Sequence, residues 1–503
     1  MRSLFLAALL STTALPALAE EPTQTLRIAL AEDADILDPT LARTFVGRIV
    51  FAGLCDKLFD ITEKLEIVPQ LVTSYEYTDP KTLILHIRDG VIFHDGEKLD
   101  AAAVKYSLER HASMAGSTRK AELSAMDHVE VVGPLTVKVV LKTPSAPFIA
   151  QLADRAGMIV SPKAAEAAGK DFGLRPVCAG PFKFAERVAQ DHITLERFPG
   201  YWDAANVHFA RVTYQIMVNS AAKFANLQAG AVDIAERLAA TDVPAAKANA
   251  KIKVNIIPSL GYQAMNFNIS RKDGGKSATG QSALVRKALE LSIDRQALID
   301  VVYNGVHTPV AQGIPASSPF YSPDTKPPAR DIAKAKQLLA QAGVTAPVPV
   351  NLTVSTNPDQ LQSGEVIQSM AAEAGFDVKV RATEFTALLA SEDTGDFQAE
   401  LVGWSGRVDP DGDVYSFLHS GAPLNNWQYS DKDVDTWLDA ARATTVDAER
   451  RALYAKVSAK VHADMPVMYL YTTAWVTAVS SKLSGFQPVA DGIIRVKGLA
   501  LAK

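Results

Sequence analysis

The sequence predicts an α/β protein of more than one domain. Three observations carry this expectation. Segments alternating at the two-residue period of a strand are separated by segments at helical spacing, in β-α-β order, over residues 211–235 and again over 350–380. The chain has 503 residues, 48% of them hydrophobic and 21% charged, which is far beyond one minimal core, so two or three domains are expected. Gly and Pro clusters punctuate the chain between these segments, as at Pro176–Pro181.

The start of the chain reads as a secretory signal peptide: Arg2, the apolar run LFLAALL, then Ala17-Leu18-Ala19 before Glu20-Glu21. Cleavage is expected between Ala19 and Glu20. The apolar run is broken by Ser11-Thr12-Thr13 and Pro16, short of the ~20 residues that span a bilayer. No cysteine stands at the cleavage site, so the expectation is a soluble periplasmic protein without a lipid anchor. The net charge is −5, one unit more negative once Arg2 is lost, and no Lys/Arg cluster marks a nucleic-acid face. Cys55 and Cys178 are the only cysteines. In an oxidising compartment they can form one disulfide closing a long loop, the alternative being two buried thiols.

In chain order, Leu26–Leu30 alternates as a first strand, Asp38-Pro39 marks a turn, and residues 40–58 are a helical candidate. Asp79-Pro80 precedes the alternating run Thr82–Ile87, which is expected to form a hairpin or strand pair with Val91–Phe93 across Arg88-Asp89-Gly90. Asp100 is an N-cap for a helix over AAAVKYSLER. Val129–Val132 and Leu135–Leu141 form a hairpin about Gly133-Pro134, and a short helix starts at Phe148. Strands follow at Phe182, Ile193–Phe198 and Arg211–Val218, then a helix over 220–230 and a strand at Val232–Ala235. Gly261–Asn268 opens a second major segment, and 270–283 reads as a flexible loop. A helical pattern over Leu284–Tyr303 breaks near Asp294; Asp331 caps the next helix and Gly343 stops it. Strands at Val350–Val354 and Phe376–Val380 flank a helix, Ala399–Trp404 adds a strand, and two helices over 433–464 lead to a return strand at Val467–Tyr471.

Catalytic and metal motifs fail on inspection. An EF-hand loop begun at Asp409 needs Gly at 414 and Glu at 420, where Val414 and Ser420 stand. His86 and His94 with Asp95 and Glu97 could be read as a metal cluster, but histidines eight apart on a strand pair are usually exposed or satisfied locally, and the S-x-x-K match at Ser117–Lys120 lacks its partner motifs. No cofactor is expected. The stretch Gly403–Pro410 is the richer one: an indole at Trp404, a hydroxyl at Ser405, two glycines allowing close approach, a cation at Arg407 and a carboxylate at Asp409 can hold a polar or zwitterionic solute. The rival readings are a core role for Trp404 and an internal ion pair for Arg407 and Asp409.

Several stretches together resemble the bacterial extracellular solute-binding proteins of family 5, which include dipeptide-, oligopeptide- and nickel-binding proteins. These are Pro69-Gln70-Leu71, HIRDGVIFHDG, AAAVKYSLER, CAGPFKF, YWDAANVHF, VRKALELSIDRQALIDVVYNG and the closing AERRALYAKVSAKVHADMPVMYLY. The resemblance implies a two-lobed periplasmic-binding-protein (Venus-flytrap) fold of the large, three-domain type. Its parts are lobe I from 20–45, 176–262 and 471–503, an accessory subdomain over 46–175, and lobe II over 263–470, with crossings near Tyr262–Phe267 and Val467–Tyr471. It also implies a monomer that delivers a small solute to ABC-importer permease subunits, a peptide first and an opine, oligosaccharide, nickel chelate or haem as alternatives. An exported hydrolase is the remaining reading from another class. In dipeptide-binding relatives an Asp in a "GW…DPD" stretch takes the amino group, matching Asp409, a Trp matching Trp404 lines the pocket, and an Arg near "RPYNP" takes the carboxylate. Ser355-Thr356-Asn357-Pro358 stands there without an Arg, and Arg407 is the candidate replacement.

Overall fold

The computed structural model describes residues 24–502; the signal peptide and its cleavage site lie outside the described residues. Lobe I is built on a seven-stranded mixed sheet in the order Ile252–Pro258, Ala474–Ser480, Ile234–Ala235, Thr25–Leu30, Arg211–Ile216, His192–Arg197, Phe182–Val188. Strand Thr25–Leu30 runs parallel to both its neighbours and buries Leu26, Ile28 and Leu30 on one face, as its alternation requires. Helix Phe45–Leu54 covers that face with Val46, Ile49, Val50 and Leu54, and Ser220–Ala229 covers the other with Phe224 and Leu227. Thr44 caps the first of these helices by accepting from the Gly47 N–H, so it is shorter than the 40–58 expectation.

The accessory subdomain has its own apolar core, drawn from Leu58 to Ile159 together with Ala179 and Val489, whereas Val46–Leu54, Ala165 and Phe172 join the lobe I core, because their apolar faces pack on the large sheet. Its four-stranded antiparallel sheet has the order Val72–Asp79, Thr82–Ile87, Thr136–Leu141, Met126–Gly133. The expected pairing of Thr82–Ile87 with Val91–Phe93 does not form. Both edges of Thr82–Ile87 are taken, by Val72–Asp79 and Thr136–Leu141, and Ile92 instead bridges Lys98. Asp100 caps helix Ala101–Ser113 through the Ala103 N–H at 3.0 Å. Cys55 and Cys178 are bonded, Sγ–Sγ 2.01 Å, and tie together the outgoing and returning connections of this subdomain. His94 serves the scaffold: its ring nitrogens meet the Gly180 carbonyl and the Cys178 N–H, and burial pushes it down to about 4.

His111, on the buried face of Ala101–Ser113, accepts from the Thr40 hydroxyl at 2.8 Å and donates to the Met158 carbonyl at 2.9 Å, so the neutral ring is fully satisfied. Burial pushes it from 6.5 down to about 4. Between those values only the unfolded chain takes up the proton. The stability linked to His111 is therefore intact above pH 6.5 and lost as pH falls toward 4, on the order of 3 kcal/mol in all. Urea midpoints of His111→Gln should accordingly fall less steeply with acid than those of the parent. Parallel pH profiles would contradict this.

Lobe II holds a six-stranded mixed sheet in the order Thr308–Pro309, Val467–Thr472, Tyr262–Phe267, Ala399–Trp404, Val348–Ser355, Phe376–Thr383. Asp294 ends the break between helices Ala283–Ser292 and Arg295–Tyr303 by accepting from the Ala297 N–H, and Asp331 caps Ile332–Gln341 likewise. The stretch expected to be a loop after Asn268 contains two short helices, Lys272–Gly275 and Ala278–Gln281, the second capped by Ser277. Strands Tyr262–Phe267 and Val467–Thr472 both belong to the lobe II sheet, and the connections to the lobe I sheet run through Ser259–Gly261 and Thr473. The two crossings are bonded to each other: the Ser259 N–H donates to the Thr473 carbonyl at 2.9 Å and their hydroxyls meet at 2.8 Å.

Candidate functional site

A cavity of about 230 Å³ lies between the lobes. Lobe II presents to it the carboxyl ends of two adjacent strands: Val348–Ser355, leading to Ser355, Asn357 and Asp359, and Ala399–Trp404, leading to Trp404 and Ser405. Lobe I and its accessory subdomain present Arg43, Phe45, Arg119, Arg155 and Trp475. Aromatic rings make the apolar wall. Phe45 stacks on Trp475 with centroids 4.4 Å apart, and Trp404 meets Phe417 edge-on at 4.8 Å.

The lobes are closed on each other. Arg43 reaches across to Glu392 at 2.8 Å and Asp393 at 2.7 Å, Arg48 donates to the Ser405 hydroxyl at 3.1 Å, Arg407 pairs with Asp154 at 2.5 Å, and Gln151 donates to Asp411 at 2.9 Å.

One wall carries an excess of buried positive charge. Arg48, Arg119, Arg155 and Arg407 surround Asp154; burial alone would raise that carboxyl, but the four guanidiniums outweigh it and hold it well below the usual range. Arg119 also pairs with Glu122. Arg155 is fully buried, donates through Nη1 to the Ala42 carbonyl at 2.7 Å, and has no partner for Nε. Burial first, then repulsion from Arg119, push it well below the usual arginine range. Arg119, already bonded to Glu122, the Thr118 hydroxyl and the Ala42 carbonyl, lines the cavity with Arg155, so an anion placed there meets a wall of net positive charge in which the Arg155 Nε has no partner.

The residues singled out in the sequence separate into two groups. Trp404 and Ser405 line the cavity, and the Trp404 Nε1–H donates to Asp413 at 3.2 Å. Arg407 and Asp409 do not line it; they make the internal ion pairs that were the rival reading. Arg407 lies over the Trp404 ring at 4.2 Å with its Nε on Asp154, because the turn at Gly406 directs it back across the cleft. Both oxygens of Asp409 receive Arg450 Nη2, at 2.7 and 2.9 Å. Sequence reasoning missed Arg43, Arg119, Arg155, Asp359 and Trp475. Arg119 stood inside the rejected S-x-x-K match, and no local pattern marks the others.

Comparison with known proteins agrees with this architecture. The family model for bacterial extracellular solute-binding proteins, family 5, middle region, matches residues 66–425. The glutathione-binding protein GsiB of Pectobacterium atrosepticum is 31% identical over 480 residues, covering 92% of this chain and 91% of the relative. Among solved structures, the binding protein AgaA from A. tumefaciens R10 in complex with agropinic acid superposes with a TM-score of 0.87 at 26% identity, covering 95% of this chain and 99% of AgaA. DppA from Helicobacter pylori in complex with the peptide STSA shares the fold, with a TM-score of 0.89 at 24% identity over 96% of this chain and 99% of DppA. No helix among the described residues is long and apolar enough to cross a membrane. The chain belongs to the bacterial extracellular solute-binding proteins, family 5.

Proposed function

We propose that this protein is the periplasmic solute-binding subunit of an ABC importer and that its solute is a short peptide or peptide-like molecule with a free carboxylate. The observation that carries the carboxylate is Arg155: a fully buried guanidinium in the cavity wall, repelled by Arg119 and left with an unpartnered Nε. A buried charge so placed is costly to the empty protein and is relieved by a bound anion. The likeness to glutathione-binding relatives over nearly the whole chain favours a peptide. The AgaA complex supports a second reading, an acidic opine in the same cavity.

Binding makes and breaks no covalent bond. The paired crossings at Ser259–Gly261 and Thr473 allow one lobe to rotate against the other, and a solute touching both lobes shifts the population toward the closed form that permease subunits recognise. A thermal-shift screen of the mature protein against glutathione, di- and tripeptides, opines, sugars and nickel–histidine tests the assignment. Selective stabilisation by peptides is expected, by about 3 kcal/mol at a hundredfold excess over Kd. Stabilisation by sugars or nickel–histidine alone would overturn it.

A further inference from the structure

We propose that Asp359 is the receptor for a cationic group of the solute, an ammonium or guanidinium; this rests on the reading that the interlobar cavity is the solute site. Asp359 lines that cavity, yet among the described residues its carboxylate takes part in no hydrogen bond or ion pair. Its main chain is held firmly. The N–H donates to the Asn357 side chain at 2.9 Å, and the carbonyl accepts from the Ser363 hydroxyl at 2.8 Å, at the start of helix Pro358–Ala372. The side chain is thus presented from a rigid mount with its own acceptor capacity unused.

The nearby cations are occupied elsewhere. Lys223 is buried and donates to the Glu236 carbonyl at 2.7 Å, while Arg237 is paired with Glu236 and with Glu32 at 3.0 Å. Asp242 adds a further negative charge, so four carboxylates face two cations in this corner. Burial leaves the Asp359 carboxyl raised, against the pull of Lys223 and Arg237 and with Asp242 adding to the rise, because neither cation is bonded to it. The charged neighbours of Asp359 are not those of Arg155, whose neighbours are Arg119, Asp154, Arg407 and Arg48. The cavity therefore has two electrostatically separate poles, and a solute with both a carboxylate and a cation satisfies both. This polarity is the reverse of the one the resemblance implies. The carboxylate faces the side of Ser405 and Arg407, and the cation faces the 355–359 stretch.

The test is calorimetric titration of parent and Asp359→Asn with one tripeptide in three forms: free termini, N-acetylated and C-amidated. The parent is expected to bind the free peptide about 10- to 100-fold more tightly than the acetylated one. Asp359→Asn should erase that preference, while its affinity for the acetylated peptide and the penalty for C-amidation stay within about threefold of the parent. Thermal stability should change little, since the side chain has no hydrogen bond or ion pair to lose and burial opposes its charge. Free and acetylated peptides binding the parent alike, or Asp359→Asn keeping the preference, would overturn the proposal alone. Failure of all three forms to bind the parent would overturn the peptide reading and the proposal with it.

Discussion

Arg155→Met is expected to move affinity and stability in opposite directions. The substitution keeps an unbranched, flexible stem but shortens it and removes a guanidinium that is fully buried, close to Arg119 and unpartnered at Nε. For a solute whose carboxylate lies against it, the loss should be about 2–4 kcal/mol, or roughly 30- to 1000-fold in Kd. The empty protein should gain about 1–3 kcal/mol, because a buried repelled charge is exchanged for an apolar side chain and Asp154 keeps Arg48 and Arg407 as partners. Denaturant midpoints of the empty protein and calorimetric Kd values read the two effects separately. A variant that is less stable and binds as before would show that Arg155 is only a scaffold residue.

Gly261→Val should be the most damaging single change at the crossings. A Cβ on Gly261 would stand 1.8 Å from the Trp404 carbonyl oxygen, and one on Gly406 would stand 2.2 Å from the Leu260 carbonyl carbon. Gly406 also has φ near +80°, which a β-branched residue resists. These two glycines let the crossing segment lie directly on the turn after Trp404, and backbone rather than a movable side chain is what each Cβ would strike. The expected result is a loss of about 3 kcal/mol or more, with weakened solute binding because the Trp404–Ser405 turn is displaced. Denaturation curves and solute titration of purified Gly261→Val check both; a variant within 1 kcal/mol of the parent and of equal affinity would contradict the close contact.

What could be read in the sequence is what local chemistry decides. Asp100, Asp294 and Asp331 cap helices because an N-cap bond closes within three residues, and all three do so. Trp404 and Ser405 reach the cavity because a strand end followed by glycine projects into a cleft. Other features depend on residues remote in the chain. Arg407 pairs with Asp154, which arrives from another domain, and Asp409 is claimed by Arg450 on a later helix, so the spacing within 404–409 carried no record of either. Arg119, Arg155, Asp359 and Trp475 come from separate segments brought together by topology. The hairpin assigned to Thr82–Ile87 failed for the same reason: which strands fill the two edges of a central strand is settled across the whole sheet.

Three of the five tryptophans, Trp404, Trp427 and Trp475, line the interlobar cavity, so its occupation has an intrinsic optical signal. The most direct measurement is a tryptophan-fluorescence titration of the mature protein with glutathione, the solute named for the relatives, beside the same titration of Arg155→Met. A saturable one-site change in the parent, shifted to roughly 30-fold or more higher concentration in the variant, is the predicted result. A change that saturates identically in both proteins, or binding measured by calorimetry with no change in tryptophan emission, would contradict the cavity as the solute site.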